Sequence, residues 1–118
     1  MTPPRTPSGL APSGRSLWKR LTAEYELDVN EVPLVTEACR LADRITELER
    51  QIRTDGLMVT GSKRQPVLHP AVAEVRQSRL AMARLLGQVA FPSVDDKPVT
   101  ASSMHASKAA AARWRRGA

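Results

Sequence analysis

The sequence has little of what catalysis at a metal or life in a membrane requires. One cysteine, Cys39, among 118 residues can form no intramolecular disulfide. The two histidines, His69 and His105, stand too far apart for any zinc-ligand spacing, which excludes a metalloenzyme. Apolar runs fall far short of the about 20 residues that span a bilayer, and residues 1–14 lack the apolar centre of a secretory signal. A soluble, non-secreted protein without a membrane partner is expected. Leu, Ile, Val and Phe together number 25, barely above the share at which charged chains stay disordered, so any core is thin.

What the chain does have is positive charge. Eighteen Lys and Arg face 12 Asp and Glu, a net charge of +6 with a pI near 10.4. The charge is uneven: residues 28–55 carry −3, whereas residues 1–27, 56–91 and 92–118 carry +2, +4 and +3. Repeated positive charge binds phosphate through counterion release, which makes nucleic acid the natural partner. Plain solubilising charge is the competing account.

Four of the nine prolines, Pro3, Pro4, Pro7 and Pro12, fall in the first twelve residues among Ser, Thr and Gly, so residues 1–14 read as a flexible arm. Residues 92–118 open without hydrophobic period and close on an Ala-rich basic tail, read as a linker followed by a short helix that orders only on binding. Within the tail, Trp114 among Lys108, Arg113, Arg115 and Arg116 suits a protein contact, a membrane surface or a nucleic acid, against the plainer reading of a solvated end. The centre, residues 15–91, is of a size at which one core rarely supplies more than ~3–5 kcal/mol. Self-association is the obvious remedy.

The centre reads as all-α with one long central helix. Leu17, Trp18, Leu21 and Tyr25 form the stripe of a first helix over residues 16–25. Asp28 with Glu31 has the form of a capping box, and the helical pattern then runs to Asp55, where Gly56 supplies a left-handed stop. Pro33 is tolerable only in the first turn or so. Residues 57–60 and 66–68 lean to β structure around a Gly-Ser-Lys-Arg-Gln turn, which fits a small hairpin or an ordered loop. A third helix is expected over residues 70–90, with Val72, Val75, Met82, Leu86 and Val89 on one stripe. Arg79 projects from inside that stripe, so it either snorkels or meets an acid on the long helix.

Leu34, Ala38, Leu41, Ile45, Leu48 and Ile52 recur at spacings of 4, 3, 4, 3 and 4, the a/d seam of a heptad repeat. Glu37, Arg44 and Glu49 border it. Two readings stand: the long helix packs on the other two helices of its own chain, or part of the seam joins subunits. They are compatible if the stripe is shared. A symmetric assembly would gather Arg15, Lys19, Arg20, Lys63 and Arg64 into rings of charge that position DNA through its phosphates.

Gly56-Leu-Met-Val-Thr-Gly61-Ser62-Lys63 approximates a phosphate-binding loop, but the lysine follows the hydroxyl residue and a helix, not a strand, precedes it. Nucleotide binding is not expected. Cys39 sits among apolar neighbours as inert packing, and His69 before Pro70 reads as an N-cap or turn residue. No Ser, His and Asp arrangement or carboxylate pair follows from spacing, so neither enzymatic activity nor a cofactor is expected.

The order of these elements resembles a known family. A Leu-Trp helix, an acidic segment opening a long helix that contains EAC, a DGL turn, the run GSKRQPVLHP and then a basic helix are together similar to the terminase small subunit of tailed double-stranded DNA bacteriophages. The resemblance covers residues 15–91. It implies a mostly helical, ring-forming homo-oligomer in the host bacterial cytoplasm. That ring would be a non-catalytic part of the genome-packaging motor, which engages viral DNA and presents it to the large terminase subunit, bearer of the ATPase and nuclease. An HNH-type endonuclease is a further implied partner in some phages, and the tail's preferred role becomes docking of the large subunit. The stretch after the first helix does not fit a standard helix-turn-helix, so backbone contacts rather than base reading are expected. The rival readings are a small basic DNA-binding regulator acting as monomer or dimer, and a structural adaptor without nucleic-acid affinity.

Overall fold

The structure, a computed structural model, describes residues 4–89. It is mainly helical: α1 (Pro12–Glu24), α2 (Glu31–Asp55), a β-hairpin of β1 (Met58–Thr60) and β2 (Pro66–Leu68), and α3 (Ala71–Gly87). The long helix α2 is the scaffold, with α1 and α3 laid against it.

The first helix begins four residues before the expected start, at Pro12 rather than Ser16. The reason lies on another helix. Asp43, midway along α2, accepts hydrogen bonds from the backbone N–H groups of Ala11 at 2.8 Å and Gly14 at 2.6 Å. It thereby supplies the N-terminal cap that the local residues lack. Ser13 Oγ and Thr46 Oγ1, 2.7 Å apart, add a second tie. Residues 10–14, which sequence reading assigns to a flexible arm, are therefore part of the packed structure, and Leu10 is buried.

The capping box at α2 forms as expected. Asp28 Oδ1 accepts from the N–H of Glu31 at 2.9 Å while Glu31 Oε1 accepts from the N–H of Asp28 at 3.1 Å, and the Val32 N–H already reaches the Asp28 carbonyl. Pro33 thus lies in the first turn, where its missing N–H costs nothing. At the other end Gly56 stops the helix with φ +89° but ψ 157°, outside the left-handed helical region the sequence suggests. This is a conformation essentially reserved to glycine, and it turns the chain straight into β1.

The core sits beside the N-terminal half of α2. Trp18 of α1, Val35 and Cys39 of α2, Leu10 and Val89 are buried together, flanked by Leu17, Leu21, Leu27, Val32 and Leu34. Only part of the heptad seam is used here: Ala38 and Ile45 are buried, whereas Leu34, Leu41, Leu48 and Ile52 stay half-buried. Val35 and Cys39, off the a/d positions, are fully buried. The intrachain face of α2 is therefore turned away from the seam, and the seam's outer edge is left partly open.

Towards the C-terminal half of α2 the contacts with α3 include polar clamps. Of the two outcomes open to Arg79, snorkelling or an acid on the long helix, the second holds: it meets Glu49 at 3.3 Å, and Arg44 reaches Glu74 at 3.7 Å. Both pairs are largely exposed, so each contributes little.

A Cβ on Gly14 would lie 2.5 Å from Asp43 Oδ2 and 2.6 Å from the Cys39 carbonyl oxygen. Gly14→Ala is expected to push α1 off its cap and to cost about 2 kcal/mol, the range of overpacking in a tight site. For a domain this small that is a fall of roughly 10 °C in Tm, read by circular dichroism. An unchanged Tm would mean that the two helices do not meet at this distance.

Candidate nucleic-acid interface

The residues expected to meet phosphate occupy two separate places. Lys63 and Arg64 stand at the hairpin tip, and both are exposed. The tip is shaped by the backbone: the Gly61 N–H donates to the Gln65 carbonyl at 2.7 Å and the Arg64 N–H to the Gly61 carbonyl at 3.0 Å. The strands pair antiparallel in the register Met58 with Leu68, Val59 with Val67 and Thr60 with Pro66. Val59 and Val67 are half-buried on one face, while Met58 and Leu68 face solvent on the other.

Arg64 has φ +63°, a left-handed conformation that side chains other than Gly and Asn adopt reluctantly. A glycine would sit there without strain, yet the tip holds a guanidinium next to an ammonium. Among the described residues Arg64 is the non-glycine residue with a positive φ.

Arg15, Lys19 and Arg20 lie on the exposed side of α1. Arg15 Nη1 donates to the Leu10 carbonyl at 2.9 Å, so part of its donor capacity is turned inward. Lys19 and Arg20 follow Trp18, which packs on Val35 and Cys39, so they stand beside the N-terminal half of α2. The hairpin leaves α2 at its other end, beyond Asp55. Arg20 stands near Ala42, Ile45 and Thr46, at the middle of α2, so the two basic groups sit on different elements and at different heights along it.

The hairpin is seated by a hinge that spacing could not reveal. His69 is buried; its Nδ1 accepts from the Ala71 N–H at 3.0 Å, capping α3, and its Nε2–H donates to Asp55 Oδ2 at 2.9 Å. The expected capping role of His69 is thus met one residue before Pro70, and the same ring ties the end of α2 to the start of α3. The Gln51 amide and then His69 hold the Asp55 carboxyl below its ordinary 3.8. Both ring nitrogens are engaged in structure. Cys39 is buried with its thiol pushed up to about 11, first by burial and then by the negative charge of Asp43, which keeps it a thiol. Among the described residues no group of three or more His, Cys, Asp or Glu is placed to hold a metal, and no helix is long and apolar enough to cross a membrane. The tail residues Lys108, Arg113, Trp114, Arg115 and Arg116 lie outside the described residues.

In comparisons with known proteins, a family model described as phage terminase, small subunit, matches residues 14–102, three quarters of the chain. Neither a curated protein nor a solved structure matches it.

Because the Asp55 carboxyl is held low in the folded state, its ties contribute stability in full above about pH 4 and lose it as pH falls through the depressed value. The difference in urea midpoint between the native chain and Asp55→Asn is therefore expected to be clear at pH 6 and to shrink towards zero at the acid limit. A difference that held steady across that span would remove Asp55 from the hinge.

Proposed function

The chain belongs to the phage terminase small subunit family, and on that premise we propose that it is the DNA-engaging, non-catalytic component of a genome-packaging motor, assembled as a ring. The family match supports the packaging role. The observation that carries the DNA contact is the hairpin tip, where Lys63 and a conformationally strained Arg64 project into solvent. Lys19, Arg20 and Arg15 on α1 form the second cationic group. Ring closure would let two groups on different elements of one chain act on one duplex: neighbouring copies repeat each group around a common axis.

The open edge of the α2 seam, Leu41 and Leu48 with the outer part of Leu34, supports a subunit contact there, while Ala38 and Ile45 serve the chain's own core and Ile52 faces α3. Binding by the two cationic groups is to phosphate, so it positions DNA without reading its sequence. In this reading the basic tail with Trp114 docks the large terminase subunit, which performs the ATP hydrolysis and DNA cleavage in the host cytoplasm, with an HNH-type endonuclease as a further partner.

Two measurements test this. Replacing Lys63 and Arg64 by Ala is expected to weaken duplex binding for all sequences and to flatten the plot of log affinity against log salt by about one for each phosphate no longer neutralised. An unchanged slope would move the DNA-binding site off the hairpin. Light scattering in about 0.5 M salt, where adventitious DNA is stripped, is expected to give one mass of many subunits. A monomer or dimer that prefers one short duplex would instead make the chain a small DNA-binding regulator.

A further inference from the structure

The C-terminal half of α2 and the N-terminal half of α3 enclose a groove of about 560 Å³. Ile52, Val72 and Val75 line it, and Leu80 stands at its edge, 51% exposed. The rim is cationic. Arg79 is neutralised by Glu49 at 3.3 Å, but Arg53 and Arg76 have no ion pair among the described residues. The hairpin lies at the same end of the helix pair, since β1 leaves from the end of α2 and β2 leads into α3. Its own exposed apolar residues, Leu57, Met58 and Leu68, are not among those that line the groove. Apolar surface collected in such a groove marks a contact site.

The composition of the groove selects its occupant. An apolar floor calls for apolar side chains, and two unneutralised guanidiniums call for carboxylates, which they bind in a forked, two-point geometry. Duplex DNA would satisfy the guanidiniums but offers nothing to the floor, and a basic segment would be repelled. From Val72 to Leu80 the groove runs about 12 Å along α3, room for about two turns of a docked helix. We propose that this groove binds an acidic amphipathic helix of a partner protein, its apolar residues at i, i+3 or i+4 and i+7 on Ile52, Val72 and Leu80, its carboxylates on Arg53 and Arg76. The site is distinct from Lys19 and Arg20 on α1 and from the cations at the hairpin tip.

The probe is a fluorescein-labelled peptide of about four helical turns, Leu at the anchor positions and Glu elsewhere among Ala, with a twin carrying Lys for Glu. Fluorescence anisotropy is read with the full chain in about 0.15 M salt. The Glu peptide is expected to bind and the Lys twin not. Reversing charge with Arg53→Glu and Arg76→Glu together weakens the Glu peptide by about tenfold or more and admits the Lys twin. Leu80→Asp weakens it as strongly, whereas Lys19→Ala with Arg20→Ala changes it by less than about twofold. The rim arginines are solvent-exposed, so the charge-reversed variant keeps the test decisive even if Leu80→Asp fails to fold.

Equal binding of both peptides, or an equal loss in the Lys19 and Arg20 variant, would overturn the proposal as mere attraction to a basic protein. So would absence of binding by the Glu peptide. A fall in solution mass on Leu80→Asp would give the groove to a second copy of the chain. A rim variant that loses duplex affinity, with no peptide binding at the start, would give it to nucleic acid.

Discussion

The fold hangs on one carboxylate. Asp43, midway along α2, receives the N–H groups of Ala11 and Gly14 and so fixes where α1 starts and how high it sits on the scaffold helix. Gly14 makes the approach feasible, since any side chain there would strike Asp43 and the Cys39 carbonyl. With α1 held at that height, Trp18 falls over Val35 and Cys39, and Leu10 and Val89 close around it. A chain with so few large apolar residues builds one dense cluster, and the interhelical cap decides where that cluster lies.

At the other end Ala71, Val75 and Ile45 are also buried, and polar ties add to them. Beyond the middle of α2, the additional ties to α3 are Arg79 on Glu49, Arg44 on Glu74, and the His69 bridge between Asp55 and the Ala71 N–H. The first two are largely exposed and contribute little each; the third is stronger in kind because His69 is buried and both ring nitrogens are engaged. The hairpin and the α2–α3 groove both stand at this end.

The sequence made legible what is local. The capping box at Asp28 and Glu31, the hairpin strands, the third helix and the acid waiting for Arg79 all depend on residues a few positions apart, or on a stripe of helical period. What it concealed is tertiary. Pro12 suits a first helical position, but no local side chain caps it, because the cap is a residue 29 positions beyond Gly14. The Asp55–His69 bridge spans 14 positions with no repeat to mark it. The a/d seam is real as spacing, yet the face that the chain itself buries is centred on Val35 and Cys39, two positions no heptad count selects. The cations at the hairpin were visible as charges, but the strain at Arg64, the feature that separates it from any other surface arginine, exists only in the backbone. The groove between Arg53 and Arg76 was hidden for the same reason: it forms only where Ile52 and Arg53 of α2 meet Val72, Arg76 and Leu80 of α3.

The division of the molecule bears on how assembly and binding relate. A subunit contact along the outer seam of α2 would run the length of the scaffold and so touch both ends, the dense one and the polar one. Rigidifying α2 in that way lends order to its C-terminal turn, where Gln51 and His69 hold Asp55, and through His69 to the start of α3. The hairpin is seated between those two helix ends. Its tip therefore gains a fixed position in an assembly that it does not have by virtue of its own three-residue strands, since a two-stranded hairpin is marginal alone. On the proposed assembly, oligomerisation and cation placement would be one process: a partner copy would raise the cost of local opening at this end, and binding by Lys63 and Arg64 would draw on that order instead of supplying it.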